Sequence, residues 1–139
     1  MEKQKYFSLL NEPVAAYGPL RIKLIRKGLQ FNAIESFLLK TGITRIELAN
    51  ILQVSVRTLQ RHEVNKRLSP AISEKLIQLN DLYLLAQEPL GTDATNTTAW
   101  LRESNVAIGN EAPIAFLDTY IGFQQVQAIL GRLAHGVFS

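Results

Sequence analysis

Thr44 to Arg67, TRIELANILQVSVRTLQRHEVNKR, constrains this chain more than any other stretch. Thr44 followed three residues later by Glu47 is a capping box. It opens a helix predicted over Arg45 to Leu52, with Ile46, Leu48, Ala49 and Leu52 as its inner face. Gln53-Val54-Ser55 is too short for anything but a turn, and Ser55 caps a second helix predicted from Val56 to about Lys66. Two short helices joined this tightly form a helix-turn-helix, and its packing dictates residue types. A small residue is needed where the second helix crosses the first, and Ala49 supplies it. The turn needs an apolar residue, here Val54, and the second helix needs an apolar anchor, here Leu59. The glycine common in such turns is replaced by Gln53. A non-glycine residue in the left-handed region costs something like 1 kcal/mol, so a slightly adjusted turn is expected.

The rest of the chain reads as helical too. Residues 1–18, punctuated by Pro13 and Gly18, read as a loose arm. From Pro19, Leu20, Leu24, Ile25 and Leu29, then Ile34, Phe37 and Leu38, recur at helical spacing, with Gly28 a candidate break and Gly42 a candidate left-handed terminus. Ser69-Pro70 starts a helix with the stripe Ile72, Leu76, Leu79, Leu82 and Leu85, ending near Pro89. Residues 91–98, GTDATNTT, are either a linker or a capped helix start. Trp100 reads as a core residue beginning a short helix beside Leu101. Ile114 to Tyr120 reads as one short helix, and Gly122 to Leu133 as another with Phe123, Val126, Ile129, Leu130 and Leu133 on one face. Only 105–108 shows a trace of alternation. The expected class is all-α, with six to eight helices in three parts: an arm over 1–18, a helix-turn-helix domain over 19–90 and a small helical domain over 91–139.

Composition closes off several chemistries. The chain has 139 residues and no cysteine, so disulfides, thiolate metal sites and a cysteine nucleophile are excluded. Two histidines, His62 and His135, argue against a His-rich metal site. No phosphate-cradling glycine loop, HExxH or convincingly paired carboxylates occur, so the expectation is a non-enzyme without cofactor or metal. The N-terminus is charged from its second residue and no run approaches ~18 apolar residues, so no signal peptide and no membrane span are expected, and a cytoplasmic protein is. Charge is unevenly placed. Residues 1–67 hold twelve Lys/Arg against five Asp/Glu, net +7, and residues 68–139 hold three against seven, net −4. A basic half joined to an acidic half implies two surfaces for two partners, the first a polyanion.

In a helix-turn-helix the second helix enters the DNA major groove with its N-terminal residues at the base edges. With Val56 and Leu59 turned inward, Ser55, Arg57, Thr58, Gln60 and Arg61 face outward. Arg suits guanine and Gln suits adenine. Ser55 and the free amides of the helix start suit a phosphate, as does Arg45 at the head of the preceding helix. His62 reads as a packed side chain.

Beyond Leu68 the residues fall in a recognisable order: LSPAISEKLIQL, then Trp100-Leu101, Asn105, Ile108-Gly109, Pro113, Leu117-Asp118-Thr119, Gly122, Val126, Leu130 and RLAHGVF over 132–138. Over roughly residues 40–139 this resembles the Xre/MbcA/ParS antitoxins that are paired with RES-domain toxins. Two departures stand out: Gln53 in the turn, and Asn110 after Gly109 where such sequences often have Gly-Gly. The resemblance implies an Xre-like DNA-binding domain acting on the operon's own operator, a homodimer, and a C-terminal domain that blocks a RES-domain toxin, an enzyme similar to ADP-ribosyltransferases that consumes NAD. It further implies that the extreme C-terminus reaches the toxin's active-site cleft, which assigns toxin contact to Arg132, His135, Gly136, Val137, Phe138 and Ser139. The residues agree: an exposed Phe after a glycine at a chain end suits a partner's pocket, and Arg132, His135 and the terminal carboxylate suit a site built for a charged dinucleotide. The rival expectations are a stand-alone dimeric helix-turn-helix regulator and an interaction protein that no longer binds DNA.

Overall fold

The computed structural model describes residues 18–136. These residues form seven α-helices, two short 3-10 turns and no strand. The helices are α1 (Gly18–Lys27), α2 (Asn32–Thr41), α3 (Arg45–Leu52), α4 (Val56–Asn65), α5 (Pro70–Leu90), α6 (Ala94–Arg102) and α7 (Tyr120–Ala134). The 3-10 turns, Val106–Ile108 and Pro113–Phe116, lie between α6 and α7. The expected arm falls outside the described residues except for Gly18, which opens α1.

Local chemistry sets the helix ends. Thr44 Oγ1 accepts from the Glu47 amide at 3.1 Å and the Thr44 amide donates to Glu47 Oε1 at 2.9 Å, completing the capping box. Ser55 and Ser69 cap α4 and α5 by accepting from the amides of Thr58 and Ile72, without a reciprocal side chain, and Pro70 stands in the first turn of α5. Asp93 accepts from the Thr95 amide at 3.0 Å, so the polar run 91–98 is a capped helix start rather than a linker. Gly28 separates α1 from α2 with φ 89°, and a Cβ there would strike the Leu68 carbonyl oxygen. That close approach arises because the Leu68 amide bonds the Leu29 carbonyl at 2.8 Å and the Phe31 amide bonds the Lys66 carbonyl at 3.1 Å. The exit of α4 is thereby stitched to the α1–α2 connection.

The spine is α5, which buries Ile72, Leu76, Leu79, Leu82, Tyr83 and Ala86 and packs against α1, α3, α6 and α7. A fully buried leucine is worth about 1.5–3 kcal/mol over an exposed one, and the apolar cluster runs unbroken from Leu24 to Leu130. Polar groups inside it are largely paired, although Asn80 Nδ2 and Thr97 Oγ1 have no hydrogen-bond partner among the described residues. The Arg21 guanidinium, on α1, holds the Asp81 carboxylate of α5 through two 2.9 Å bonds. Burial nevertheless raises the Asp81 carboxyl above its ordinary pKa, outweighing the lowering by Arg21. Thr98 Oγ1 donates to the Thr41 carbonyl at 2.7 Å, so its bond with Tyr83 at 2.7 Å takes the phenol as donor. Burial pushes the Tyr83 phenol up to about 12.

Five local expectations are corrected. Ile46 is 66% exposed. It sits about 200° around the helix from Leu48, and the inner face of α3 is Leu48, Ala49, Ile51 and Leu52. Leu85 is 37% exposed because the stripe on α5 steps from Leu82 by four residues to the fully buried Ala86. Trp100 packs against the core but near the end of α6, since the Asp93 cap starts that helix two turns earlier. The expected helix 114–120 is divided: a 3-10 turn ends at Phe116, and Thr119 caps α7 by accepting from the Gly122 amide at 3.0 Å. Residues 105–108 are a 3-10 turn following an isolated bridge between Asn105 and Glu111, not a strand.

Candidate functional site

The helix-turn-helix is built from α3 and α4. Ala49, 3% exposed, and Leu59, fully buried, fill the crossing, and Val54 packs on the same cluster. Gln53 itself adopts the left-handed conformation, φ 58° and ψ 44°, so the turn is not adjusted to avoid it. Its side-chain amide donates to the Asn50 carbonyl at 2.8 Å, an anchor that glycine would lack. Lys75 Nζ, from α5, donates to the carbonyl of Leu52, the last residue of α3, at 3.2 Å. A cation there satisfies a terminal carbonyl and complements the helix dipole.

The six residues expected to meet DNA divide into two groups. Arg57, Gln60 and Arg61 are exposed on one stripe of α4, opposite Leu59. Neither Arg57 nor Gln60 has a hydrogen bond or ion pair among the described residues, so both side chains are available to a ligand. Arg61 leans back on Thr58 Oγ1 at 3.2 Å. Ser55 and Thr58 are occupied with each other: Ser55 Oγ accepts from the Thr58 amide and donates to Thr58 Oγ1, both at 3.0 Å. Their hydroxyls hold the helix start, leaving its backbone amides as the anion-facing groups. Arg45 pairs with Glu63 at 3.2 Å and lies 5.6 Å over the Phe31 ring, which fixes its guanidinium between α2, α3 and α4. His62 is packed, its Nδ1 donating to the Arg67 carbonyl at 3.2 Å. Val64, 80% exposed, extends the stripe. Sequence reasoning passed over it, although its place seven residues after Arg57 was the signal.

The second half uses its few cations differently. It holds Lys75, Arg102 and Arg132. Arg102 reaches back to α3, binding the two Glu47 carboxylate oxygens at 2.7 and 3.0 Å and the Gly42 carbonyl at 3.1 Å. The Glu47 carboxyl is held down to about 2, chiefly by its hydrogen bond from Arg102. Glu47 thus joins the capping box of α3 to the end of α6, which sequence reasoning missed because the partners are 55 residues apart.

Among the residues assigned to a partner, Arg132 is half-buried in the last turn of α7 and makes no hydrogen bond or ion pair among the described residues. His135 is exposed and donates through Nδ1 to the Gly131 carbonyl at 2.7 Å, and Gly136 follows it with φ 71°. Val137, Phe138 and Ser139 lie outside the described residues. The loop carrying the second departure is closed by backbone bonds. Gly109 and Asn110 take φ 75° and 65°, and the Asn110 amide bonds the Asn105 carbonyl at 2.9 Å. Asparagine is among the few side chains that tolerate this region, so it can stand where a second glycine is common. No cluster of three or more potential metal ligands occurs among the described residues, and no helix there is long and apolar enough to cross a membrane.

Two family models match the chain in succession. Residues 20–81 match the antitoxin Xre-like helix-turn-helix domain, and residues 85–136 match the antitoxin Xre/MbcA/ParS C-terminal toxin-binding domain. Antitoxin Xre of Yersinia enterocolitica serotype O:8 / biotype 1B (strain NCTC 13174 / 8081) is 27% identical over 126 residues, covering 90% of this chain and 85% of that protein. The Prs ADP-ribosylating antitoxin of Sphingobium sp. (strain YBL2) is 27% identical over 128 residues, covering 86% of this chain and 80% of that protein.

Proposed function

The chain belongs to the Xre/MbcA/ParS family of antitoxins, and on that premise we propose that it neutralises a RES-domain, NAD-consuming toxin with its C-terminal region and represses its own operon by binding operator DNA as a homodimer. Antitoxins of this family act by binding, and the chain is not an enzyme. The observation that carries the reading is the separation of two exposed surfaces on one continuous core. One is the α4 stripe of Arg57, Gln60 and Arg61. The other is the end of α7, where Arg132 has no hydrogen bond or ion pair among the described residues. The toxin-binding match over 85–136 favours this reading over a stand-alone regulator.

On DNA, Arg57, Gln60 and Arg61 read base edges while Arg45 and the amides after Ser55 sit against phosphates. A single helix-turn-helix covers few base pairs, so two copies would place their α4 helices about 34 Å apart over inverted half-sites. On the toxin, Arg132, His135, Gly136, Val137, Phe138 and Ser139 cover the active site, with Phe138 as the aromatic anchor and Arg132 as the charged group.

The test is growth rescue of cells expressing a RES-domain toxin, with melting temperature measured in parallel. Deleting residues 137–139 leaves the sequence of every described helix intact, so stability should hold while rescue is lost. Phe138→Ala should weaken toxin binding by about 2 kcal/mol, the usual scale of an aromatic hot spot. A tail-deleted protein that binds the toxin and rescues growth like wild type would place the blockade on the helical body instead.

A further inference from the structure

Val64 is a residue that folding does not explain. It lies in the last turn of α4 and is 80% exposed. A single aliphatic side chain on a surface needs no account by itself. This one also runs against local preference. A β-branched side chain loses rotamer freedom on a helix, so valine is a weaker helix former than the long polar residues that suit a solvent position. Neither burial nor propensity therefore selects valine here.

Its place on the helix supplies the reason. At about 100° per residue, Val64 lies about 140° around α4 from Leu59, against about 160° for Arg57 and about 100° for Gln60. Leu59 is fully buried, so Val64 stands closer to the centre of the outward face than Gln60 does, and nearly in line with Arg57. The one carboxylate of α4, Glu63, is held by Arg45 of α3 at 3.2 Å. The outward face is left with two guanidinium groups and one amide, followed by one aliphatic side chain.

That combination matches base edges. Arginine and glutamine pair with guanine and adenine by hydrogen bonds, whereas valine has neither donor nor acceptor to offer. In the major groove the edges of guanine, cytosine and adenine present only donors and acceptors, and thymine alone adds a methyl group. Against the other three bases, valine would strip water from a polar edge and return no hydrogen bond. Against thymine it covers an apolar group.

We propose that Val64 is a base-reading residue that covers the 5-methyl group of a thymine in the major groove, beside the bases met by Arg57, Gln60 and Arg61. The inference rests on the DNA-reading assignment of α4 above and deepens it: three residues read by hydrogen bonds, and Val64 reads by excluding water. Val64 is about 10 Å along the helix from Arg57, so its thymine lies at the other end of the half-site from the base that Arg57 meets.

The experiment uses the full-length chain and the duplexes that it selects from a random-sequence DNA pool, with affinities from gel shifts and oligomeric state from light scattering. Wild type should select a thymine at one position of each half-site. Uracil at that position in one half-site removes only the methyl group and should weaken binding about fourfold, or ~0.8 kcal/mol, the worth of one buried methylene. Val64→Ala should lose most of the distinction between thymine and uracil at that position, with melting temperature unchanged. Val64→Gln should move the preference there, and nowhere else, from thymine to adenine. If wild type selects no sequence, the DNA-reading assignment fails and this inference fails with it. If wild type selects a sequence and Val64→Ala still tells thymine from uracil at every position as wild type does, only the Val64 assignment is overturned. It is equally overturned if Val64→Ala weakens all duplexes alike, which would put the side chain against the sugar-phosphate backbone. A change in oligomeric state with unaltered base preference would also overturn it, by making Val64 a contact between copies of this chain.

Discussion

The two halves of the molecule handle charge in opposite ways. The α3–α4 half is rich in cations and, among the described residues, leaves Arg57 unengaged and Arg61 held only by a neighbouring hydroxyl. The second half has three cations and ties two of them to carbonyls and a carboxylate of the first half. The first half therefore presents a field, which suits a polyanion, and the second presents a shape with one charge. Affinity at the first should fall with salt, because it depends on counterion release. Affinity at the second should be far less sensitive, because burial of side chains rather than a sum of charges supports it. Yet both surfaces hang on α5, and the apolar cluster beneath them is continuous.

That shared core gives the largest expected effect. Leu59 is fully buried at the α3–α4 crossing, and Leu59→Ala should cost about 3 kcal/mol. If the halves form one cooperative body, the loss should be seen equally by circular dichroism and by the fluorescence of Trp100, which lies in the other half. Two separate transitions, with the tryptophan signal unmoved, would break the comparison into two independently folding domains.

The next effects should divide cleanly. Arg57→Ala should weaken operator binding by about 1–3 kcal/mol if the side chain meets a base. Arg61→Ala should fall in the same range, while Arg45→Ala, whose guanidinium is already shared with Glu63 and Phe31, should lower affinity less and act alike on all sequences. None of the three should change toxin affinity. Gel shifts across a salt series check this, and an operator affinity unchanged in the Arg57→Ala, Arg61→Ala double variant would remove the DNA-reading assignment. Gln53→Gly tests the turn. Glycine relieves up to about 1 kcal/mol of left-handed strain, but it loses the bond to Asn50 and loosens the unfolded chain. The expected net gain is therefore below 1 kcal/mol in denaturant melts, with operator affinity unchanged.

Much of this was legible because it is local. Thr44, Ser55 and Ser69 cap the helices that follow them, and a cap is written within four residues. Leu59 fixed the phase of α4, so the outward set Arg57, Gln60 and Arg61 could be read from it. The inner face of α3 could not be read as well: eight residues hold four aliphatics besides alanine, and their spacing admits two phases, which is why Ile46 was placed inside and Ile51 was not. Leu85 failed for a related reason, since alanine gives little hydrophobic signal and Ala86 was overlooked. The candidate site was legible as a set of outward residues but not as a set of available ones. That Ser55 and Thr58 use each other's hydroxyls, or that Arg102 is taken by Glu47, depends on side-chain geometry and on contacts across 55 residues, which a linear pattern does not carry.

The Glu47–Arg102 pair is the smallest expected effect and the sharpest probe of how the halves are joined. Glu47 serves two purposes, returning to the Thr44 amide and accepting from Arg102, so the substitutions must be chosen to separate them. Glu47→Gln keeps an oxygen for the Thr44 amide and removes the charge, whereas Glu47→Ala removes both and should cost about 1 kcal/mol more through the lost cap. The Arg102 side chain is 44% exposed and that of Glu47 27%, so solvent screens the pair. A coupling of about 0.5–1 kcal/mol is expected from a double-mutant cycle of Glu47→Gln with Arg102→Gln at neutral pH. The sign with pH follows from the depressed carboxyl. Folding favours the carboxylate, so the contribution is fully present above the ordinary value near 4.5 and is lost as pH falls through about 2. The coupling should therefore shrink steadily between those limits in urea melts, and also shrink in high salt. A coupling as large at pH 2 as at pH 7 would mean that the neutral hydrogen bonds, not the charge, join α6 to the start of α3. The junction would then be as insensitive to salt as the core beneath it.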